Sequence, residues 1–166
     1  MPEQKTLERA RKDKREGKAP TTQAGEFIRE EMEHIRSGKH GARSTKQAIA
    51  IGLSKARKAG IDLPPPAKGT TSEKTRRSAA RAYAQGQQGH AHKTSPKRSQ
   101  AITHALQREG REAASSKALA RQAMQAARNR SASERSASAR KGISKRTPDE
   151  RRASARKAAR TRARNR

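Results

Sequence analysis

Arginines recur at a fixed interval near the C-terminal end of the 166-residue chain. Positions 152, 156, 160 and 164 are all Arg, and a spacing of four residues places successive side chains on one face of a helix. The guanidinium group presents a planar fork of donors that matches phosphate oxygens, and Arg outnumbers Lys by 26 to 16. This pattern indicates binding of a phosphate backbone. The candidate residues in this segment are Arg151, Arg152, Arg156, Lys157, Arg160, Arg162, Arg164 and Arg166.

Two smaller basic groups extend the prediction. The first consists of Arg43, Lys46, Lys55, Arg57 and Lys58. The second is Lys97 and Arg98 in the sequence Ser-Pro-Lys-Arg at 95–98, which is similar to the Ser-Pro-basic-basic elements of linker-histone tails. A helix start with Ser at the N-cap and Pro at the first helical position explains the same four residues, so both interpretations stay open.

Three histidine-containing groups offer metal-binding side chains, but their sequence context argues against a site. Glu31-x-x-His34 has the spacing of a helical ligand pair, yet the expected partner helix, 45–59, has no carboxylate. We therefore expect ion pairing and a solvated face. His90-x-His92 lies in a Gly- and Gln-rich linker without a third ligand nearby, and His40 in a predicted turn either contacts phosphate or is exposed. The sequence thus predicts no metal, no cofactor and no catalytic residue.

The composition argues against an enzyme with a closed pocket. The net charge is +27, and most of the 29% hydrophobic content is Ala. Leu, Ile and Phe together contribute 13 of the 166 residues, about 8%, and there is no Val. Highly charged sequences tend to be disordered when these four residue types make up less than roughly 20% of the chain. The sequence contains no Cys, no secretory signal at its N-terminus and no apolar run of ~20 residues. We expect a cytoplasmic protein that neither spans a membrane nor acts on a small-molecule substrate.

The few large apolar residues are concentrated between residues 22 and 63, where their spacing is helical. We predict a small helical hairpin from two helices, about 22–37 and 45–59, with Ile61 and Leu63 folding over its open end. Capping-box spacings mark helix starts at Ser44, Thr70, Ser131 and Thr147. The predicted organisation is a charged N-terminal helix (1–20), the hairpin (22–63), a linker with one helix at about 71–85 (64–95), a basic helical segment (96–129) and an Arg-rich tail (130–166).

The fold class that follows is mostly α, with the hairpin and separate Ala- and Arg-rich helices, largely extended or disordered and without a large common core. Positive charge rises along the chain, since residues 1–34 are neutral and residues 101–166 carry +14. Repulsion between like charges four residues apart opposes helix formation. We therefore expect the tail to be frayed when free and more helical on a polyanion.

Residues 39–60 resemble a family of small, basic, uncharacterised bacterial proteins. The resemblance rests on Ser-Thr-Lys-Gln-Ala-Ile-Ala-Ile-Gly-Leu-Ser-Lys-Ala at 44–56, which matches the family's Ser-x-Lys-Gln-Ala-Ile-Ala-Ile-x-Leu-Ser-x-Ala pattern. Members are often labelled DNA-binding, and the resemblance implies a bacterial setting and DNA as the partner. The tail is similar in composition to bacterial histone-H1-like proteins. Neither resemblance assigns a role to an individual residue.

The function predicted from these observations is DNA binding without sequence specificity, as in a nucleoid-associated or histone-like protein. The scarcity of aromatic residues, with only Phe27 and Tyr83, disfavours single-strand recognition by stacking. Two alternatives remain open. One is an RNA-binding or ribosome-assembly factor, and the other is a disordered structural or stress-protective protein that acts by solvation.

Overall fold

The computed structural model describes residues 2–89, 95–144 and 146–164, and within these ranges the chain forms eight α-helices, one 3-10 helix and no strand. The 3-10 helix is Glu112–Ala114. The α-helices are α1 (Gln4–Arg15), α2 (Pro20–Arg36), α3 (Thr45–Lys58), α4 (Glu73–Gln87), α5 (Pro96–Gln107), α6 (Ser116–Arg128), α7 (Ala132–Ser144) and α8 (Pro148–Arg164). The chain divides within α6 into two compact units, residues 1–122 and 123–166.

Side-chain caps fix most of the helix starts that the sequence predicts. The Ser44 hydroxyl accepts a hydrogen bond from the Gln47 backbone N–H at 3.2 Å, and α3 begins there. Ser131 and Thr147 form the expected capping boxes with the carboxylates three residues later. The box predicted at Thr70 is wrong, because the N-cap of α4 is Ser72, whose hydroxyl accepts from the Thr75 N–H at 3.2 Å.

α2 and α3 form the hairpin, and their backbones approach closely at Gly52. A Cβ atom placed there would lie 2.8 Å from the Ile28 Cα. Beside this crossing, Met32 and Ile35 pack with Ala48 near the turn, in one of two apolar clusters. Only a residue without a side chain allows this separation of the two helices.

The second cluster lies at the open end of the hairpin, where α1 packs against α2. Phe27 is fully buried there against Ala10 and Ala56. Ile61 is buried in the same cluster and Leu63 packs against it, which confirms that the chain after α3 folds back over the open end. α4 then covers α3 from another side, burying Ala79 and Ala82.

Residues 106–119 return to the turn of the hairpin. The Gly41 and Ala42 N–H groups donate to the carbonyls of Leu106 and Gly110 at 2.8 and 3.1 Å. Ala113 and Ala114 are buried in the same cluster as Met32 and Ile35. The hairpin and the segment 106–119, which are far apart in the sequence, therefore contribute to the same apolar cluster.

The predicted fold class is wrong in one respect, since the described chain is helical and residues 2–89 and 95–122 are neither extended nor disordered. The expectation of no common core counted only large apolar residues, whereas the interior is filled mainly by alanine, which also favours helix. These buried alanines are Ala10, Ala24, Ala42, Ala48, Ala56, Ala79, Ala82, Ala113 and Ala114. The expected disorder of the tail is likewise not observed, because α7 and α8 are continuous helices within the described residues.

No helix in the described ranges is both long enough and apolar enough to cross a membrane.

The close crossing at Gly52 predicts the effect of a single methyl group. We expect Gly52→Ala to lower the free energy of unfolding by about 1–3 kcal/mol, because the added Cβ overpacks the contact with Ile28. Gly25→Ala is the matched control, since Gly25 lies in α2 with no atom within 4 Å of an added Cβ, and it should gain up to about 1 kcal/mol in helix propensity. Urea unfolding followed by circular dichroism measures both. Equal stabilisation by the two substitutions would contradict the close crossing.

Candidate nucleic-acid interface

α8 presents the regularly spaced arginines on an exposed helix. Arg152, Arg156, Arg160 and Arg164 all lie within Pro148–Arg164, and all are exposed. The remaining predicted residues of this helix, Arg151, Lys157 and Arg162, are exposed as well. Arg166 lies outside the described residues. The helix buries none of its own residues, so its cationic face is open to a ligand.

The acidic residues of α8 are confined to its first turn. Glu150 closes the capping box with Thr147, and Asp149 lies 3.6 Å from the Arg152 guanidinium on the surface. Negative charge at a helix N-terminus favours the helix through its dipole. From Arg151 to the end of α8 every charged residue is basic.

The second predicted basic group does not form one surface. Arg43, Lys46 and Lys58 are exposed, at the start and end of α3. Lys55 and Arg57 point instead into the folded unit. The Arg57 residue is 7% exposed, and its guanidinium donates to the carbonyls of Leu63 and Pro64 at 3.0 and 3.3 Å.

Burial lowers the pKa of Arg57 from its ordinary value. Its two backbone contacts hold the chain that follows α3 in place, which is a structural use of the guanidinium. Of the five residues predicted in this group, three are therefore accessible to a polyanion and two are engaged within the unit.

Lys97 and Arg98 are exposed in the first turn of α5, which begins at Pro96 with Ser95 as N-cap. This start agrees with the interpretation of Ser-Pro-Lys-Arg as a helix start. The two basic side chains nonetheless remain available at the surface.

Lys55 forms ion pairs with two buried carboxylates of α2. Its ammonium group lies 2.6 Å from Glu31 Oε2 and 3.4 Å from Glu30 Oε1. Glu31 is 0% exposed, so the solvated face predicted for Glu31-x-x-His34 is wrong, while the predicted ion pairing is observed. No spacing within α2 or α3 reveals this pairing, because it joins two helices.

Both histidines near Glu31 are engaged. His34 Nε2 contacts Glu3 Oε1 at 2.8 Å, and His40 Nε2 lies 3.2 Å from Glu31 Oε1. The His34 and His40 side chains are 14% and 15% exposed. His40 is therefore neither a solvent-exposed side chain nor directed at a surface phosphate. The predicted pair His90-x-His92 lies outside the described residues.

The surrounding groups shift the pKa values of two carboxyls. Burial favours the neutral form of Glu30, but the Thr6 hydroxyl, the Glu3 backbone N–H and Lys55 outweigh it, so its pKa is lowered. Hydrogen bonds from Lys39 and then His34 lower the pKa of Glu3 from 4.5 to about 2. Both carboxylates are ionised at neutral pH, and the N-terminal residues are held against the hairpin.

Sequence reasoning missed a further basic surface on α4. Lys74, Arg77 and Arg81 are exposed on one face of this helix together with Glu73 and Ser78. Their spacing of three and four residues would have identified one helix face. Glu73 pairs with Arg76 and Arg77 at 2.7 and 3.2 Å, so this surface has its own counter-charge, unlike α8 beyond its first turn.

Phe27 and Tyr83 are the only Phe and Tyr in the chain, and Tyr83 is half-buried. Phe27 is fully buried and cannot stack on a base. The Tyr83 hydroxyl donates to Asp62 Oδ1 at 2.7 Å, a hydrogen bond that raises the pKa of the phenol. Contacts with nucleic acid would therefore have to come mainly from charge, since a single half-buried ring cannot form a stacking surface for several bases.

The internal role of Lys55 predicts a strong effect on stability. Lys55→Met leaves Glu30 and Glu31 buried without their cation, and we expect the free energy of unfolding to fall by about 2–4 kcal/mol. Lys46→Met, on the exposed side of α3, also removes one positive charge. It should change the free energy of unfolding by no more than about 0.5 kcal/mol. Urea unfolding of the two variants gives the comparison. A small, equal effect would mean that Lys55 does not compensate the buried carboxylates.

Comparison with known proteins identifies one family model, described as a family of unknown function (DUF6496), which matches residues 4–68. The match covers α1, α2 and α3 and ends in the segment before α4. α8 and its arginines lie outside it. No curated protein matches the chain, and no solved structure matches it.

Proposed function

We propose that the protein binds double-stranded DNA without sequence specificity, through the exposed arginines of α8. The observation that carries the proposal is the row Arg152, Arg156, Arg160 and Arg164 on a helix that buries nothing of its own. Arginine binds phosphate oxygens with two parallel donors, and an exposed row of such groups favours a polyanion over a single small ligand.

The dimensions of α8 suit a duplex. Twelve residues separate the first and last arginine of the row, which corresponds to about 18 Å of helix at ~1.5 Å per residue. A duplex carries one phosphate charge per ~1.7 Å, so this length faces on the order of ten charges. The ~10–12 Å diameter of a helix also fits the ~12 Å width of the major groove.

Charge relief supplies the driving force. Arginines four residues apart repel one another, and the only carboxylates on α8, Asp149 and Glu150, are in its first turn. Phosphates would neutralise the rest and release counterions from the duplex. Binding of this kind reads no bases, which is why we propose no sequence preference.

Duplex DNA is favoured over single strands because Phe27 is buried, which leaves Tyr83 as the one aromatic side chain in the sequence that could stack on a base. The resemblance of residues 39–60 to bacterial proteins labelled DNA-binding adds the bacterial nucleoid as the proposed location. Arg43, Lys46, Lys58, Lys97 and Arg98 are further exposed residues that can contact phosphate. Structured RNA is the main competing partner and is included in the test.

The test is the salt dependence of binding in a variant with Arg152, Arg156, Arg160 and Arg164 all changed to Gln. Each lost phosphate contact reduces the slope of log K against log salt by about 0.9, so we expect a reduction of about 3–4 for duplex DNA. Gln preserves helix propensity, and circular dichroism verifies that the helix content is kept. Fluorescence anisotropy at several salt concentrations gives the slopes.

A matched control removes four exposed charges of α1 instead, by changing Lys5, Arg11, Lys14 and Arg15 to Gln. We expect this control to change the slope by less than about 1. Equal slopes in the two variants would contradict the assignment to α8. Preference for structured RNA over duplex DNA in direct competition would contradict the partner, and a lack of binding at physiological salt would contradict the function.

A further inference from the structure

Two imidazoles and one carboxylate meet where the hairpin turn folds back on α2. Glu31, His34 and His40 each offer one ligand atom, and the three atoms lie within 4.8 Å of one another. Glu31 and His34 share a face of α2, and His40 comes from the turn that follows. Glu31 is fully buried and the histidines are partly exposed, so the group has an interior end and a side open to solvent.

The contacts of His40 leave a gap for a cation. Its Nδ1 lies 3.0 Å from the Gly41 carbonyl oxygen, which can only accept, so Nδ1 carries the proton and donates. In the neutral ring Nε2 then holds a lone pair, and it faces Glu31 Oε1 at 3.2 Å. Two acceptors at this distance repel unless a cation lies between them. A backbone carbonyl on the remote nitrogen is also a usual contact of a metal-binding histidine.

His34 is oriented in a comparable way. Its Nε2 lies 2.8 Å from Glu3 Oε1, and since a carboxylate accepts, Nε2 donates and Nδ1 keeps the lone pair. Glu3 is fixed in turn by Lys39 at 2.8 Å. A carboxylate on one ring nitrogen leaves the other nitrogen as a ligand and increases its basicity.

Glu31 has one carboxylate oxygen, Oε1, that is not in contact with Lys55 and could bind an ion. Lys55 lies 2.6 Å from Oε2, and among the described residues neither carboxylate oxygen accepts a hydrogen bond of good geometry. A buried carboxylate without hydrogen bonds is costly, and an ion at Oε1 would satisfy it while Lys55 stays on Oε2. Lys39 and Lys55 here face three carboxylates, those of Glu3, Glu30 and Glu31, which leaves one negative charge to attract a cation.

We propose that Glu31, His34 and His40 bind a divalent transition-metal ion, with Zn²⁺ as the best match. Two imidazole nitrogens and one carboxylate oxygen form a ligand set typical of zinc sites, and a water completes four-coordination. Bonds of ~2.0–2.1 Å to a tetrahedral ion place the ligand atoms about 3.4 Å apart, so binding requires small side-chain movements that bring the three atoms, which lie within 4.8 Å of one another, to that separation. The ion would tie the hairpin turn to α2, independently of any contact with nucleic acid.

The experiment is a titration of the full-length, metal-free chain with ZnCl₂ by calorimetry, together with Co²⁺ binding followed by visible absorption. We expect one Zn²⁺ per chain, d–d bands of bound Co²⁺ and a higher Tm with Zn²⁺. His34→Gln and His40→Gln should each weaken Zn²⁺ binding by at least about ten-fold and abolish the rise in Tm. Circular dichroism verifies that each variant is folded. If His40→Gln does not fold, His34→Gln alone still tests the site.

The other three histidines provide the controls. A double variant with His90→Gln and His92→Gln, and a single variant with His104→Gln on α5, should bind Zn²⁺ as the unsubstituted chain does. Loss of the ion in the double variant would overturn the proposal, because the linker pair would then be the site. Unchanged Zn²⁺ binding in both His34→Gln and His40→Gln would also overturn the proposal. So would a lack of binding at 100-fold excess of Zn²⁺, because a proton alone would then lie between His40 Nε2 and Glu31 Oε1.

Discussion

The approach of α2 and α3 at Gly52 is the contact on which the fold of residues 1–122 depends. With so few large apolar side chains, burial must come from bringing backbones and alanines close together, and this is possible only where nothing projects between the helices. The close crossing places Met32 and Ile35 against Ala48 on one side and Phe27 against Ala56 on the other. Dispersion contacts between the closely packed backbones at Gly52 add to the stabilisation that comes from burying these side chains.

A core of this kind leaves room for charge inside it. Glu30 and Glu31 are buried on α2, and they are tolerated because α3 supplies Lys55 and the N-terminal segment supplies the Glu3 N–H. The arrangement favours the face of α3 that meets α2, since another rotation would remove Lys55 from both carboxylates. Lys55 and Arg57 thus serve the fold, whereas the basic residues of α8 are exposed.

Local patterns in the sequence were sufficient for the hairpin. The spacing of Ile28, Met32 and Ile35, the cap at Ser44 and the prolines after Leu63 gave both helices to within a few residues. They could not give the return of residues 106–119, because no local periodicity marks a contact with a turn some 65 residues earlier. The expected disorder was wrong since alanine was not counted as a core residue.

The candidate sites were predictable to different degrees. The four-residue spacing of the α8 arginines is enough to place them on one helix, and their exposure agrees with the lack of large apolar residues on that helix. The inward orientation of Lys55 and Arg57 was not predictable, because it depends on partners in other elements. The contact between His40 and Glu31 could not be predicted from helical spacing, because His40 lies in the turn after α2 and its position depends on how that turn folds. The binding of DNA itself stays a prediction.

The return of residues 106–119 to the hairpin turn also determines where this chain can be divided. A fragment ending at residue 68, the limit of the family match, would leave the Gly41 and Ala42 N–H groups without their carbonyl partners and uncover Met32 and Ile35. Such a fragment would also lack α4, which covers one side of α3 in the full chain. The compact unit that keeps all of these contacts extends to about residue 122, nearly twice the length that sequence similarity alone delimits.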